Sequence, residues 1–542
     1  MTGSPDKAAY FLGIDVGTGS ARAGIFDRNG KLVGTDKCAI ELYRDAPNIA
    51  EQSSSEIWNA VSAATKGVLK VAGLSGDQIA GVGFDATCSL VVLGENGAPL
   101  PVGHTNDPER NIIVWMDHRA IDQANRINST GHRVLDYVGG RISPEMETPK
   151  LLWLKENNPE VYGAAWQFMD LTDFLTWRAT GDLSRSVCTV TCKWTFLAHE
   201  NAWDASYFEQ VGLNDLIADD FSKIGTKVVP AGTALGSGLS AEAANDLGLV
   251  AGTPVAAGLI DAHAGGVGSV GAEGGGGAEA NLAYVFGTSS CTMTSTQKPV
   301  FVPGVWGPYY SAMVPGLWLN EGGQSAAGAA IDALLALHPF SETAKASAAQ
   351  ASMSLPEWLA IESEGRLSDG TNAVSLAKGV QVVPEFLGNR APFADPHTRA
   401  VISGLGMDQG LDSLISLYIA GLCGIGYGLR QIIEAQCDAG APIQRIVISG
   451  GAGRSPLIRQ LLADATGVEV AAPASEEPVL LGAAILGGVA SGAFVDIPAA
   501  MVHMTQFSDC FTPAAGAVAD LHATRFGIFK SLQDIARRGI YV

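Results

Sequence analysis

Two spacings of apolar residues alternate along this chain of 542 residues. Short apolar runs of strand length occupy 8–16, 20–27, 31–42 and 79–84, and the first and last of these run into Asp15 and Asp85. Between them, 53–71 keeps helical spacing, with Ile57, Trp58, Val61 and Ala64 on one face and serines placed to cap it. Strands are expected at 91–93, before the turn 94–97, and at 112–115, with a helix after Arg119. The stretch 145–180 reads as largely helical, and 255–260 as a strand that ends at Asp261. In the second half the pattern predicts a strand at 281–286 and a long apolar helix over 412–436. A strand at 445–449 and a helix over 456–466, with Pro456 in its first turn, follow. Strands that deliver polar residues at their ends, interleaved with helices, predict a layered α/β fold.

One pattern occurs twice. The first apolar run enters the turn Gly17-Thr18-Gly19-Ser20, and the run at 281–286 enters Gly287-Thr288-Ser289-Ser290. Backbone N–H groups and small hydroxyls at such turns suit phosphate oxygens. One turn in each half predicts a nucleotide gripped between two related domains, and the length is itself too great for a single core. The glycine-rich stretch 265–277 predicts a hinge or linker, which places the domains at 1–270 and 271–542.

Composition narrows the partners. The residues are 47% hydrophobic and 16% charged, as in a packed globular protein. A net charge of −21, from 34 basic and 55 acidic residues, argues against nonspecific binding to nucleic acid or an anionic membrane. It leaves room for a phosphorylated ligand held by local N–H groups and a metal. No apolar run of about 18 residues is present, so no membrane span is expected. The opening MTGSPDKAAY lacks the basic and apolar segments of a secretory leader. The 8 cysteines form no CxxC pair, and nothing completes a zinc set around Cys188 and Cys192. Free thiols in a reducing compartment follow, and the cytoplasm is the expected location.

Some positions carry candidate chemistry. A carboxylate beside a phosphate-binding turn is repelled unless a cation intervenes, so Asp15 either meets Mg²⁺ near a nucleotide or caps its turn. Asp261 either accepts a proton from a substrate hydroxyl or caps the next helix. His263 reads as structural. Gly450-Gly451-Ala452 leaves room for a flat ligand or for close helix packing. Neither a P-loop nor a complete dinucleotide fingerprint is present.

In this order, DVGTGSARAGIFD, GLIDAHAG, FGTSS and SGGAGRSPLIRQLLAD resemble the motifs of the FGGY carbohydrate kinases. GFDATCSLVV at 83–92, VWMDHRA at 114–120 and METPKLLWLKEN at 146–157 are similar to the D-ribulokinase branch. They differ from the glycerol kinase pattern, where an Asn-Gln-Arg-Glu run takes the place of Ala86 to Ser89. The resemblance implies an α/β fold of two actin-like ATPase (ribonuclease H-like) domains flanking a cleft that closes on its ligands. It implies Asp261 as catalytic base, and Asp15 with Asp261 at Mg²⁺. Gly17, Thr18, Ser20, Gly287 and Thr288 would lie at the phosphates, and Gly450, Gly451, Ala452 and Ser455 at adenosine, although some relatives carry Asn in place of Ser455. Asp85, Cys88, Ser89, Asp117, His118 and Asp261 would lie at the sugar, with Trp306 and Gln324 bordering the cleft. The implied reaction is ATP- and Mg²⁺-dependent phosphorylation of a ketopentose, foremost D-ribulose. Ribitol or another pentulose or polyol is the alternative acceptor, and a non-catalytic sugar-sensing regulator is the alternative of another class. The implied partners are the sugar and ATP, with no nucleic acid or membrane, and a homodimer stays open.

Overall fold

The computed structural model describes residues 10–103, 105–367 and 372–538, with the backbone alone at Ala452. The leader reading at residues 1–9 and the expected strand start at 8 lie outside the described residues.

The first half is built on β1 (Tyr10–Val16), β2 (Ser20–Phe26), β3 (Leu32–Ala39) and β4 (Ile79–Ala86). β5 (Leu90–Leu93), β6 (Gln167–Asp170) and β7 (Leu259–Ile260) follow. The principal sheet has the order β7-β4-β1-β2-β3. β1 is antiparallel to β2, with Asp15 opposite Arg22, and parallel to β4, with Asp15 opposite Asp85. β7 is parallel to β4, with Leu259 opposite Asp85. Parallel register therefore brings Asp15, Asp85 and the residue after β7, Asp261, to one edge of the sheet.

Helix α1 (Ser54–Ala72) matches the periodic segment. The Ser53 hydroxyl accepts from the Glu56 N–H at 3.2 Å, a cap that contributes about 1 kcal/mol. Gly73, at φ +67°, closes the other end. The stretch expected to be helical from 145 to 180 holds α2 (Glu147–Asn157) and α3 (Leu171–Thr180), with β6 between them paired antiparallel to β5. Four residues are too few for a strand period to show against helical flanks. Helices α4 (Val187–Trp194) and α5 (Asp261–Val267) complete the elements used below from this half.

The second half repeats the arrangement. Its sheet comprises β8 (Asn281–Phe286), β9 (Ser290–Thr296), β10 (Trp306–Tyr310) and β11 (Trp318–Gln324). β12 (Arg445–Ser449), β13 (Glu469–Pro473) and β14 (Phe507–Phe511) complete it, in the order β10-β11-β9-β8-β12-β13-β14. The β8–β9 hairpin lies beside parallel β12 as the β1–β2 hairpin lies beside parallel β4. Helix α6 (Leu411–Asp438) is long and apolar enough to cross a membrane, but 78% of its apolar window is buried, and it forms the core of this half. α7 (Pro456–Thr466) and α8 (Pro478–Ala490) follow.

The first part of the glycine-rich stretch, 265–268, is helix and tight packing rather than the linker expected there. Gly265 and Gly266 lie buried within α5, and the segment packs against α8. A Cβ on Gly268 would stand 1.9 Å from the Pro478 carbonyl oxygen, and one on Gly482 would stand 1.9 Å from that of Ala264. Glycine is there because two backbones touch, which composition alone does not distinguish from flexibility. α8 also lies across β1 and β4, so a helix from the far end of the chain covers the first sheet and crosses the division near residue 270.

Candidate active site

The three carboxylates at the sheet edge differ in their surroundings. Asp15 is buried, and its Oδ2 accepts from Arg22 Nε at 2.7 Å. The same guanidinium donates to Glu477 at 2.7 Å, immediately before α8, so an ion-pair chain ties the edge to the returning helix. Asp85 is fully buried, and neither of its oxygens has a hydrogen-bond partner among the described residues. Burial, then the nearby Asp15, pushes its carboxyl well above the ordinary range. Asp261 accepts from the Ala262 N–H at 2.7 Å, and burial followed by Asp15 raises its pKa to about 6.

An orphaned buried acid among mutually repelling carboxylates fits a divalent cation. Among the described residues, no group of three or more His, Cys, Asp or Glu is arranged to hold a metal unaided. The donor set therefore suits Mg²⁺, which binds through one or two carboxylates plus substrate phosphates.

A pH dependence follows from Asp261. As a base it acts only when ionised, so kcat/KM for the acceptor should fall as pH drops through about 6, tenfold per unit at the limit. The linkage has the opposite sign for stability. The folded state holds this proton more tightly than the unfolded chain, so the Asp261 contribution declines as pH rises from the ordinary value of 3.8 to about 6. A pH–rate profile flat from 5 to 8 would contradict the assignment.

Both phosphate-type turns project from hairpins at the cleft. The Gly17 N–H donates to Ser20 O at 3.0 Å, and the Thr18 hydroxyl accepts from Trp115 Nε1 at 3.0 Å. The Gly287 N–H donates to Ser289 O at 3.0 Å, while the Gly287 and Thr288 carbonyls are held by the N–H groups of Gly328 and Ala327. Gly19 and Thr288, at the two tips, are exposed.

The adenosine-type segment connects β12 to α7. Gly450 has φ +94°, and a Cβ there would stand 2.5 Å from Phe286 O, so glycine is required. Beside it lies a cavity of about 520 Å³, lined by Phe286, Pro356, Tyr418, Leu422, Gly451 and Ser455 among others. Its size and apolar walls suit a flat heterocycle. The Ser455 hydroxyl caps α7 through the Ile458 N–H at 3.4 Å. Gly450 instead lines a smaller, polar hollow of about 280 Å³ with Ser449, Ser475 and Arg459. The side chain of Ala452 lies outside the described residues.

On the acceptor side the expected residues separate. Cys88 is buried beside the edge, and burial pushes its thiol up. His118 is half-exposed and lies 3.3 Å from Glu145, whose hydrogen bond raises its pKa. Ser89 and Asp117 are fully buried and bonded to other groups of the protein. The Ser89 hydroxyl accepts from the Trp115 N–H at 3.1 Å. Asp117 accepts from the Ala50 N–H and from the backbone N–H, Nε and a terminal nitrogen of Arg119, which fills the acceptor capacity of a carboxylate. Their sequence position beside the pocket segments gave no view of these partners.

Two charged residues escaped the sequence reading. Lys193, at the end of α4, is only 6% exposed and makes no hydrogen bond with another described residue. Its ammonium stands 5.0 Å from the ring centroid of Trp306. Burial opposes its charge, but the neighbouring groups together, the carboxylate of Glu321 among them, push its pKa up. Glu321, on β11 directly opposite Trp306 of β10, is likewise buried. Burial pushes its carboxyl up, but Lys193, the His263 hydrogen bond and Arg390 together overcome burial and hold the Glu321 carboxyl at about 2. The charge of Lys193 also reaches Asp261. A Thr-Cys-Lys-Trp run and an Asn-Glu-Gly-Gly run carry no pattern that would single them out.

Residues 10–268 match the N-terminal domain of the FGGY family of carbohydrate kinases, and 282–491 match its C-terminal domain. The chain is 46% identical over 524 residues to an FGGY carbohydrate kinase domain-containing protein of Homo sapiens, covering 95% of this chain and 94% of that one. It is 38% identical over 521 residues to a D-ribulokinase of Saccharomyces cerevisiae, covering 90% and 73%. In fold it is similar to the xylulose kinase of Rhodospirillum rubrum, with a TM-score of 0.79 at 22% identity over 98% and 99% of the chains. The ADP-bound glycerol kinase of Plasmodium falciparum gives 0.79 at 17% identity over 99% of each.

Proposed function

The chain belongs to the FGGY family of carbohydrate kinases, and from that premise we propose that it transfers the γ-phosphoryl group of ATP to the terminal hydroxyl of a ketopentose, D-ribulose above all. The observation that carries the reading is Asp261, a partly exposed carboxylate in the first turn of α5 whose pKa is raised to about 6, within the electrostatic reach of both Asp15 and Lys193. The similarity to a D-ribulokinase supports the choice of sugar.

In this reading the acceptor lies between Asp261, Cys88 and His118 of the first domain and Glu321 and Trp306 of the second. Lys193 supplies charge at its hydroxyls, and Asp85 lies beside them as a hydrogen-bonding carboxyl. Asp261 orients the terminal hydroxyl and takes its proton as the phosphoryl group arrives. The turns at 17–20 and 287–288 hold the phosphates through backbone N–H groups and small hydroxyls. Adenosine occupies the cavity beside Gly451 and Ser455. Mg²⁺, held by Asp15 and Asp261 together with the phosphates, would supply neutralisation of phosphate charge. Closure of the two domains would exclude water and limit hydrolysis of ATP.

A site that bonds each hydroxyl rejects acceptors that leave its polar groups unpaired. At saturating ATP and Mg²⁺, kcat/KM for D-ribulose should exceed the values for ribitol, D-xylulose and L-ribulose, with glycerol lower by at least ~100-fold. A higher kcat/KM for ribitol or D-xylulose would leave the kinase in place and remove D-ribulose as its substrate.

A further inference from the structure

His263 is completely buried two residues beyond Asp261, on the same helix α5. Cys188 Sγ, on α4, lies 3.0 Å from its Nδ1, and Glu321 Oε2, on β11, lies 3.4 Å from its Nε2. The Ile260 N–H, the last before Asp261, donates to the same sulfur at 3.4 Å. One imidazole thus joins the helix that begins with Asp261 to a carboxylate of the other sheet. With one ring nitrogen held by Cys188, the other has a single direction left, toward Glu321. Cys188 and Cys192, one turn apart on α4, are both completely buried, so the sulfur is shielded from solvent and stays a fixed partner of the ring.

We propose that His263 is a positioning residue that holds Glu321 in register with Asp261 across the cleft. The proposal rests on the reading above that places the acceptor between these two carboxylates. Lys193 and Arg390 both act on Glu321, and both stand over the ring of Trp306. Without a donor on the other side, Glu321 follows these cations and the acceptor loses one of its fixed contacts. Cys291, whose Sγ donates to Oε1 at 3.7 Å, is too weak a donor to hold the carboxylate by itself.

His263→Gln and His263→Met separate positioning from packing. Both side chains fill similar space, but only glutamine can donate to Glu321. The assay uses whichever acceptor of the pentulose and polyol panel reacts best, so an error in the sugar assignment does not reach this test. We expect His263→Met to raise KM for the acceptor roughly tenfold or more and His263→Gln to stay within about threefold of wild type, with KM for ATP unchanged in both. Equal effects of the two variants would overturn the proposal, as would a parallel rise in KM for ATP. Loss of folding in His263→Met, or in both variants, would overturn it in favour of a structural role.

Discussion

Replacing Asp261 by Asn is expected to lower kcat by roughly 10²–10⁴-fold, the range that general-base catalysis commands, while KM for ATP stays within about twofold. The amide keeps the shape of the carboxylate and its acceptor for the Ala262 N–H, but it cannot take a proton. Stability distinguishes this loss from damage to the fold. At pH 7.5 the native Asp261 is ionised against burial and against Asp15, and the amide removes both penalties. The variant should therefore melt at or above the wild-type temperature at pH 7.5, and the gain should shrink as pH falls toward 5. Near-wild-type kcat in a folded Asp261→Asn protein would remove Asp261 as the base.

Lys193→Met is expected to reduce kcat/KM for the acceptor by roughly 10²–10³-fold, mainly through KM, because it removes a positive charge that favours a buried carboxylate. Lys193 is the largest influence holding Glu321 ionised against burial, and it rests on Trp306 rather than on any hydrogen bond among the described residues. In the proposed reading its donors serve the sugar hydroxyls. Methionine retains most of the stem packing against Trp306 and removes only the charge and the donors. Saturation kinetics in both substrates, with melting curves alongside, checks this. An unchanged KM for the acceptor in a folded variant would show that Lys193 faces something other than substrate.

The repeated turn at 17–20 and 287–290 was legible because a hairpin between apolar strands is a local event, written in consecutive residues. The convergence of Asp15, Asp85 and Asp261 was legible only in part. Each sits at a strand end, but their adjacency depends on parallel register between strands far apart in the chain. Asp117 illustrates the converse. Its carboxylate lies in a segment near the pocket, yet Arg119, two residues on, occupies it. Lys193 and Glu321 were invisible because their meaning comes from each other and from Trp306, which the fold brings together from three separate elements. The glycines at 265–268 looked like slack because the helix they touch, α8, is some 200 residues downstream.

Phosphorus–proton correlation NMR of the reaction mixture with D-ribulose, ATP and Mg²⁺ tests the central claim most directly. The account predicts a single new phosphate monoester on the terminal carbon of the sugar, formed one for one with ADP, and no ADP without acceptor beyond slow hydrolysis. Release of ADP that does not depend on the sugar, or no phosphate ester from any pentulose or pentitol, would contradict it.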